Sequence, residues 1–213
     1  MTRGYFGTVE GGDGAGKSSQ ILLLEDYLKQ QGYKVFVTRE PGGEPVAEKI
    51  RELILDPKNK TLNDTTELLL FLACRSQFMK EIVIPKLHEG YFVLSSRSGD
   101  STKAYQGYGR GIDVSLIDNL NQIVTRGVTP DITCVIDVSP KIGLSKVETE
   151  EFGEKDRIEA AGINYHERVN NGFLELAKQE PGRIKVVSYI ENGIDEMQTQ
   201  IRSYFDEFLR NKK

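Results

Sequence analysis

The segment GGDGAGKS, residues 11–18, combines residue types that can hold a chain of phosphate groups. Its glycines let the backbone curve so that N–H groups point at phosphate oxygens, and the dipole of a following helix adds to this attraction. Lys17 is expected to reach the β- and γ-phosphates, and the hydroxyl of Ser18 to ligate Mg²⁺. The residues predicted to hold the nucleoside triphosphate are Gly11, Gly12, Asp13, Gly14, Ala15, Gly16, Lys17, Ser18 and Ser19.

The segment fills every fixed position of the pattern G-x-x-x-x-G-K-[ST] and stands between a strand pattern and a helical pattern. This context favours a phosphate site over a glycine-rich turn without a ligand. Phosphate loops serve kinases, GTPases, motors and helicases alike. The sequence has no N-K-x-D segment for reading guanine, and 213 residues are few for a motor or helicase. A small-molecule kinase is therefore favoured.

The net charge and the cysteine content further restrict the class of protein and its partners. The formal net charge of −4 gives no electrostatic reason to expect a nucleic-acid polymer as partner. Cys74 and Cys134 stand far apart in apolar segments, without metal-ligand spacing, and are expected to be core residues. Neither an apolar signal-peptide core nor a long uncharged run is present. We therefore expect a cytoplasmic enzyme without a membrane partner, folded as a single P-loop kinase domain over residues 1–213.

Hydrophobic periodicity predicts short strands that alternate with longer helices. The predicted strands are residues 5–10, 34–38, 91–95, 131–137 and 183–188. The predicted helices are residues 17–31, 45–55, 64–89, 114–126, 140–150, 163–179 and 194–210. Because the strands are mostly apolar throughout, they are typical of a parallel sheet covered on both faces. The stretch 94–107 opens as the third strand and is expected to end in an aromatic turn.

Further segments accompany the phosphate loop, and they include TREPGGEPVAEKIRELIL, TELLLFLACRSQ, AYQGYGRG and PDITCVIDVSP at residues 38–55, 66–77, 104–111 and 130–140. With KDRIE at 155–159 and YHERVNNGFLELA at 165–177, the sequence resembles the thymidylate kinase family, closest to its bacterial members. The resemblance implies a three-layer P-loop nucleoside monophosphate kinase fold, an α/β fold with a five-stranded parallel sheet flanked by helices. It also implies transfer of the γ-phosphoryl of ATP, with Mg²⁺, to dTMP, which gives dTDP and ADP for dTTP synthesis.

The same resemblance implies a site for dTMP. Phe71 is expected to stack on thymine and Arg75 to donate to a base carbonyl, and their spacing puts both on one helical face. Tyr105 would crowd a ribose 2′-hydroxyl and so favour deoxyribose. Taken alone, Phe71 would be interpreted as core and Arg75 as a surface charge; the neighbouring motifs favour the base site. The residues assigned to dTMP are Asp13 for the 3′-hydroxyl, Arg39 and Arg51 for the acceptor phosphate, Phe71, Arg75, Arg97, Tyr105 and Gln106.

Phosphoryl transfer requires positioning and the neutralisation of spreading charge. The predicted catalytic residues are Lys17, Arg97 and Arg157. The resemblance places Arg97 between donor and acceptor phosphates, where a guanidinium can bind both with bidentate hydrogen bonds. It places Arg157 in a lid at about residues 146–157. Relatives commonly pair as homodimers, and helix 64–89 is expected either to supply such an interface or to belong to the core.

Two departures from the family pattern bear on activity. The third strand ends in Ser96-Arg97-Ser98, where most members have Asp-Arg followed by an aromatic residue or His. The missing aspartate is expected to organise Mg²⁺, for which a hydroxyl is a poorer ligand, and Asp13, Asp100 and Glu159 are candidate substitutes. The lid carries an acidic run in place of arginines: Glu148, Glu150 and Glu151. A working kinase is favoured over two alternatives: a nucleotide-binding relative with weak or lost turnover and a recognition or regulatory role, and a kinase for another nucleoside monophosphate.

Overall fold

Five parallel strands form one sheet in the computed structural model, which describes residues 3–149 and 155–212. In chain order the strands are β1 Phe6–Gly11, β2 Val35–Arg39, β3 Phe92–Ser96, β4 Ile132–Asp137 and β5 Ile184–Ser188. Their spatial order is β2-β3-β1-β4-β5. The predicted strands are confirmed to within about one residue at each end, and the predicted five-stranded parallel sheet with them.

The helices lie on both faces of this sheet. Those before β3 are α1 Lys17–Gln30, α2 Pro45–Leu55, α3 Asp64–Phe78, a π-helical turn Met79–Val83, and α4 Ile84–His88. Those after β3 are α5 Gly99–Thr102, a π-helical segment Lys103–Gly109, α6 Val114–Thr125, α7 Pro140–Thr149, α8 Ile163–Gln179 and α9 Ile194–Arg210. None of the helices in the described part of the chain combines the length and the apolar character that a membrane-spanning helix requires.

The predicted helix 64–89 is present, but it is not α-helical throughout. Its π-helical turn ends two residues before Pro85. Proline has no N–H and its ring crowds the carbonyl four residues earlier, so a widened turn relieves the clash.

Residues 99–109 differ more from the sequence expectation, since they are helical rather than a turn. Their glycines permit close packing on α8: a Cβ at Gly109 would lie 2.7 Å from the ring of Tyr165. A Cβ at Gly172 of α8 would lie equally close to Tyr108. Gly109 and Gly172 are therefore contact points between two helices.

The sheet has two differently packed faces. Val9 of β1 packs with Leu24 of α1 and Phe205 of α9. On the other face, Val135 of β4 packs with Phe173 of α8. Because side chains alternate along a strand, Glu10 points to the opposite side from Val9, towards α8. The side chains at the ends of the strands therefore lie on two opposite faces of the sheet. The face on which each side chain lies determines which groups can meet at the phosphate loop.

Candidate active site

The phosphate loop follows β1 and leads into α1. Gly14 has a φ of 69°, and a Cβ there would lie 2.1 Å from the carbonyl oxygen of Gly143, so only glycine fits. Lys17 begins α1, and its Nζ donates to the carbonyl oxygens of Gly11 at 3.1 Å and Gly12 at 2.6 Å. The lysine is therefore held against the loop that it is predicted to complete.

Charges of opposite sign meet beside this loop. Nη2 of Arg97 donates to a carboxylate oxygen of Asp13. Burial acts to raise the pKa of Asp13, but Arg97 and Lys17 lower it overall. Burial, together with Arg97, lowers the pKa of Lys17 to about 7. An anionic phosphate beside Lys17 would favour its charged form, so phosphate binding and protonation of this lysine reinforce each other.

A cavity lies between the loop and α3. It is lined by seven of the eight residues predicted to bind dTMP, namely Asp13, Arg51, Phe71, Arg75, Arg97, Tyr105 and Gln106. Arg39 is not among the lining residues, because its guanidinium pairs with Glu48 at 2.9 Å and donates to the carbonyl oxygen of Pro41. Arg51 donates to the same carbonyl at 2.9 Å. Both predicted acceptor-phosphate arginines are thus tied to one backbone oxygen next to the cavity.

Arg97 occupies a left-handed backbone position, with a φ of 73°. Its Nη1 donates to the carbonyl oxygen of Gly11 and to Oγ of Ser101, both at 3.3 Å. Its guanidinium also lies 4.9 Å from the centre of the Tyr105 ring. Burial opposes the charged form, but Tyr105 and Asp13 raise the pKa of Arg97 overall. Arg97 is therefore a permanent cation between the phosphate loop and the cavity.

A carboxylate that belongs to none of the predicted site residues supports this position. Glu10, fully buried at the end of β1, accepts from the backbone N–H of Ser98 at 2.6 Å and from Oγ of Ser101, also at 2.6 Å. Burial and Asp100 raise the pKa of Glu10 to about 7. A carboxylate in an otherwise apolar strand just before a phosphate loop was the available signal. Glu10 holds the turn that follows Arg97.

The side of the cavity formed by α3 is equally well supported. Arg75 is 2% exposed, and Nε donates to Glu40 at 2.7 Å. Its Nη1 donates to Thr102 at 2.7 Å and to Asn121 at 2.9 Å. Tyr105 donates to the second oxygen of Asp13 at 3.3 Å. Arg75 is thus a buried, oriented cation in the wall of a pocket, and the interpretation as a surface charge is wrong.

Comparison with known proteins now decides the family, since a family model described as thymidylate kinase matches residues 9–201. The chain belongs to the thymidylate kinase family. The thymidylate kinase of Trichlorobacter lovleyi is 42% identical over 186 residues, covering 85% of this chain and 88% of that one. That of Carboxydothermus hydrogenoformans is 44% identical over 182 residues, with the same coverage of 85% and 88%. The crystal structure of the thymidylate kinase from Ehrlichia chaffeensis aligns with a TM-score of 0.76 and 34% identity, over 96% of this chain and 99% of that one.

Family membership confirms the resemblance found in the sequence, so the departures from the family pattern can be located in space. Ser96 is in register with Val9 and points to the α1 face of the sheet, where Ser18 lies exposed in the first turn of α1. Glu10 and Asp100 lie on the other face, where Oδ2 of Asp100 accepts from Arg183 at 2.7 Å. Neither carboxylate therefore takes the place of the family aspartate.

The donor groups near Ser18 determine how a metal ion can be held. In residues 3–149 and 155–212, no group of three or more His, Cys, Asp or Glu side chains could hold a metal ion. Asp13 is paired with Arg97, and Glu159 accepts from the backbone N–H of Asp156 at 3.0 Å. A hydroxyl fits Mg²⁺ as one ligand among nucleotide phosphates and waters. The residues present fit a metal ion that the nucleotide brings with it.

The second departure concerns the expected lid. Arg157 is not among the residues that line the cavity, because Nη1 pairs with Glu67 at 2.7 Å and Nε donates to the carbonyl oxygen of Ile54 at 2.8 Å. This position differs from the predicted phosphate contact: Arg157 and Arg110 both pair with the fully buried carboxylate of Glu67. Of the acidic run, Glu150 and Glu151 lie outside the described residues, and the side chain of Glu148 does as well.

Proposed function

We propose that the protein transfers the γ-phosphoryl of ATP to dTMP and releases dTDP and ADP. The observation that carries this proposal is the position of Arg97, which contacts the phosphate loop on one side and lines the acceptor cavity on the other. A nucleotide phosphate held by the loop and an acceptor phosphate in the cavity would both lie within reach of one guanidinium. Membership of the thymidylate kinase family supports the same reaction.

Recognition of dTMP is assigned to the far end of the cavity. Phe71 offers an apolar face for thymine, and Arg75 a fixed donor for its O4 oxygen. Asp13, already bonded to Tyr105, is proposed to hold the 3′-hydroxyl, and the Tyr105 ring to exclude a 2′-hydroxyl. Arg51, with Arg39 beside it, is proposed to bind the acceptor phosphate.

Transfer then requires little covalent chemistry of the protein. An oxygen of the dTMP phosphate forms a bond to the γ-phosphorus, the bond to the bridging β–γ oxygen breaks, and ADP takes up the electron pair. Lys17 and Arg97 neutralise the charge that spreads over the transferring group. Mg²⁺, ligated by Ser18 and the ATP phosphates, supplies further charge neutralisation when bound. Arg157 is assigned to the wall behind the base site and not to the phosphates.

The exposed surface and the composition of the chain bear on its oligomeric state and its cellular location. Large apolar side chains are exposed on α3 and α6, among them Leu69, Leu116 and Ile123. We assign this surface to a homodimer interface, because a second copy would cover it. A net charge of −4 and two buried free cysteines fit a cytoplasmic enzyme without a nucleic-acid polymer as partner.

A coupled assay of ADP formation from ATP and Mg²⁺ tests the function. It compares dTMP with the monophosphates of uridine, deoxyuridine, deoxycytidine and deoxyguanosine. Selective turnover with dTMP is the expected result. Saturable binding of ATP and dTMP without turnover would instead favour a recognition role, for which the missing carboxylate at Ser96 is the structural reason. Preferential turnover of another monophosphate would overturn the acceptor assignment.

A further inference from the structure

A buried carboxylate behind the base pocket has no role in the reaction proposed above. Glu67 lies on α3, one helical turn before Phe71, and is 0% exposed. It accepts from Nε2 of Gln106 at 2.9 Å, from Nη2 of Arg110 at 3.1 Å and from Nη1 of Arg157 at 2.7 Å. One carboxylate thus joins the base-binding helix, the π-helical segment and the residue that ends the lid.

This carboxylate remains ionised despite its burial. Burial acts to raise the pKa of Glu67, but hydrogen bonds from Arg110 and Gln106 and the adjacent charges lower it overall. An ionised carboxylate has four lone-pair sites and no proton to donate. Any group that hydrogen-bonds to Glu67 must therefore do so as a donor.

Because Glu67 can only accept hydrogen bonds, it restricts the orientation of Gln106. Gln106 lines the same cavity as Phe71 and Arg75. A glutamine amide has a donor end and an acceptor end, and rotation by half a turn exchanges them. Glu67 can accept only the donor end, Nε2. The acceptor end, Oε1, then remains for a ligand in the cavity.

We propose that Glu67 is a positioning residue for substrate specificity: it fixes the amide of Gln106 so that Oε1 accepts the N3–H of a thymine or uracil base. This inference rests on the proposed function. Thymine presents an acceptor at O4 and a donor at N3, which match a donating Arg75 and an accepting Gln106. Cytosine presents a donor at N4 and an acceptor at N3 and mismatches both residues. Desolvated and unmatched polar groups carry a large penalty, so cytosine is rejected.

Glutamine at position 67 would remove the constraint without changing the size of the side chain. Its amide can donate or accept, so Gln106 becomes free to present either end to the base. The inverted amide would then offer Nε2 to N3 of cytosine. For Glu67→Gln we therefore expect weaker discrimination between thymine and cytosine at N3 of the base.

The experiment measures kcat and KM for dTMP and dCMP. For Glu67→Gln the ratio of kcat/KM for dTMP to that for dCMP is expected to fall about tenfold or more, mainly through KM. Titration calorimetry with the two monophosphates measures the same ratio as binding. This second readout keeps the inference testable if no monophosphate is turned over, in which case only the proposed function fails.

Two further variants distinguish a loss of base specificity from a general weakening of the charged cluster around Glu67. Arg110→Gln removes a cation from Glu67 but keeps the bond between Glu67 and Gln106, so the ratio is expected to stay within about threefold of that of the parent protein. The double variant Glu67→Gln/Arg110→Gln restores the original net charge of the cluster and differs from Arg110→Gln only at position 67. An equal ratio in these two variants would overturn the proposal.

If the variants at position 67 fail to fold, NMR of the parent protein bound to dTMP decides. A scalar coupling across the hydrogen bond, from thymine N3 to Cδ of Gln106, would support the proposal, because it requires N3–H to donate to Oε1. Absence of this coupling in the complex, with the coupling from Nε2 of Gln106 to Cδ of Glu67 also missing, would overturn it.

Discussion

The position of the Arg97 side chain depends on a left-handed backbone conformation. A left-handed position costs a residue other than glycine roughly 1–3 kcal/mol, so neighbouring contacts must compensate. Its N–H donates to the carbonyl oxygen of Val9 at 3.1 Å, and the following N–H is bound by Glu10. The strain is thus confined to the one residue that joins the phosphate loop to the acceptor cavity.

Lys17 allows the proposed transfer chemistry to be tested at a single side chain. Lys17→Ala removes a cation that would stabilise the transferring phosphoryl group, and kcat is expected to fall by about two to three orders of magnitude. The ADP assay measures this change, and circular dichroism checks the fold. Lys60→Ala, at an exposed position, is the control and should retain the parent rate. A near-normal kcat for Lys17→Ala would contradict the assignment of the loop.

Asp100 makes a contribution to stability that depends on pH. It is buried, and it pairs with Arg183 at 2.7 Å and Lys103 at 3.3 Å. Burial opposes ionisation, but Arg183 and Lys103 lower the pKa of Asp100 to about 2. The unfolded chain therefore takes up the proton at higher pH than the folded protein does. This contribution is complete above the ordinary aspartate pKa of about 4 and is lost as the pH falls towards 2.

Asp100→Asn should remove that contribution and leave Glu180 as the carboxylate that Arg183 and Lys103 share. We expect the free energy of unfolding at pH 7 to fall by about 2–3 kcal/mol, the contribution that a pKa lowered to about 2 makes at neutral pH. Urea denaturation at pH 7 and at pH 3 measures it, and the difference between parent and variant should narrow at the lower pH. Asp26→Asn, on an exposed part of α1, is the matched control. A difference that is the same at both pH values would show that the ion pair is not its source.

At the end of β3, the alternation of side chains along the strand determines which residues can reach a metal ion. Ser96 lies on the α1 face and Ser98 bonds to Glu10 on the other side. Ser96→Asp should restore a carboxylate near Ser18 and lower the Mg²⁺ concentration required for half-maximal ADP formation about tenfold. Calorimetric binding of a non-hydrolysable ATP analogue at increasing Mg²⁺ should show the same shift.

The same substitution two residues later is the control for this effect. Ser98→Asp would set a second carboxylate beside Glu10 and away from Ser18, so no gain in Mg²⁺ dependence is expected. An unchanged Mg²⁺ requirement in Ser96→Asp would show that the nucleotide and water already satisfy the metal ion.

The regular elements could be predicted from the sequence because their signals are local. Apolar runs marked all five strands, and Gly32, Gly90 and Gly127 marked helix ends at positions where they have positive φ. Residues 99–109 could not be predicted in this way. Their helix is stabilised by contact with α8, more than 50 residues away in sequence, while glycine at 107 and 109 indicated a turn locally.

The lining of the cavity was predictable where motifs accompany one another in the sequence. The phosphate-loop glycines form a motif of their own, whereas Phe71 and Arg75 were assigned through the neighbouring motifs. For Glu10 the only signal was a carboxylate in an otherwise apolar strand, and Glu67 stands in the segment TELLLFLACRSQ without an assigned role. A carboxylate in a strand or helix is ordinarily a surface residue. The importance of Glu10 and Glu67 becomes visible only when burial and distant partners are known. The position of Arg157 could not be predicted for the same reason, because its partner Glu67 lies 90 positions earlier.

At the scale of the whole molecule, the acceptor cavity and the proposed dimer surface share helix α3. Phe71 and Arg75 face the cavity, while Leu69 of the same helix is 54% exposed. Leu116 and Ile123, seven residues apart on α6, are 48% and 72% exposed and share one helical face. Pairing through this surface would brace α3 from outside, opposite the base that it is proposed to bind.

Ile123→Asp tests this arrangement. A charge at the centre of a buried apolar interface is strongly unfavourable, so the variant is expected to shift from dimer to monomer, a twofold fall in mass by light scattering. Because α3 would lose its outer support, KM for dTMP should rise while circular dichroism stays unchanged. Leu22→Asp, at a 57% exposed position on α1, is the matched control and should leave the mass unaltered. A parent protein that is already monomeric, or a variant that remains dimeric, would remove the α3–α6 surface from consideration as the interface.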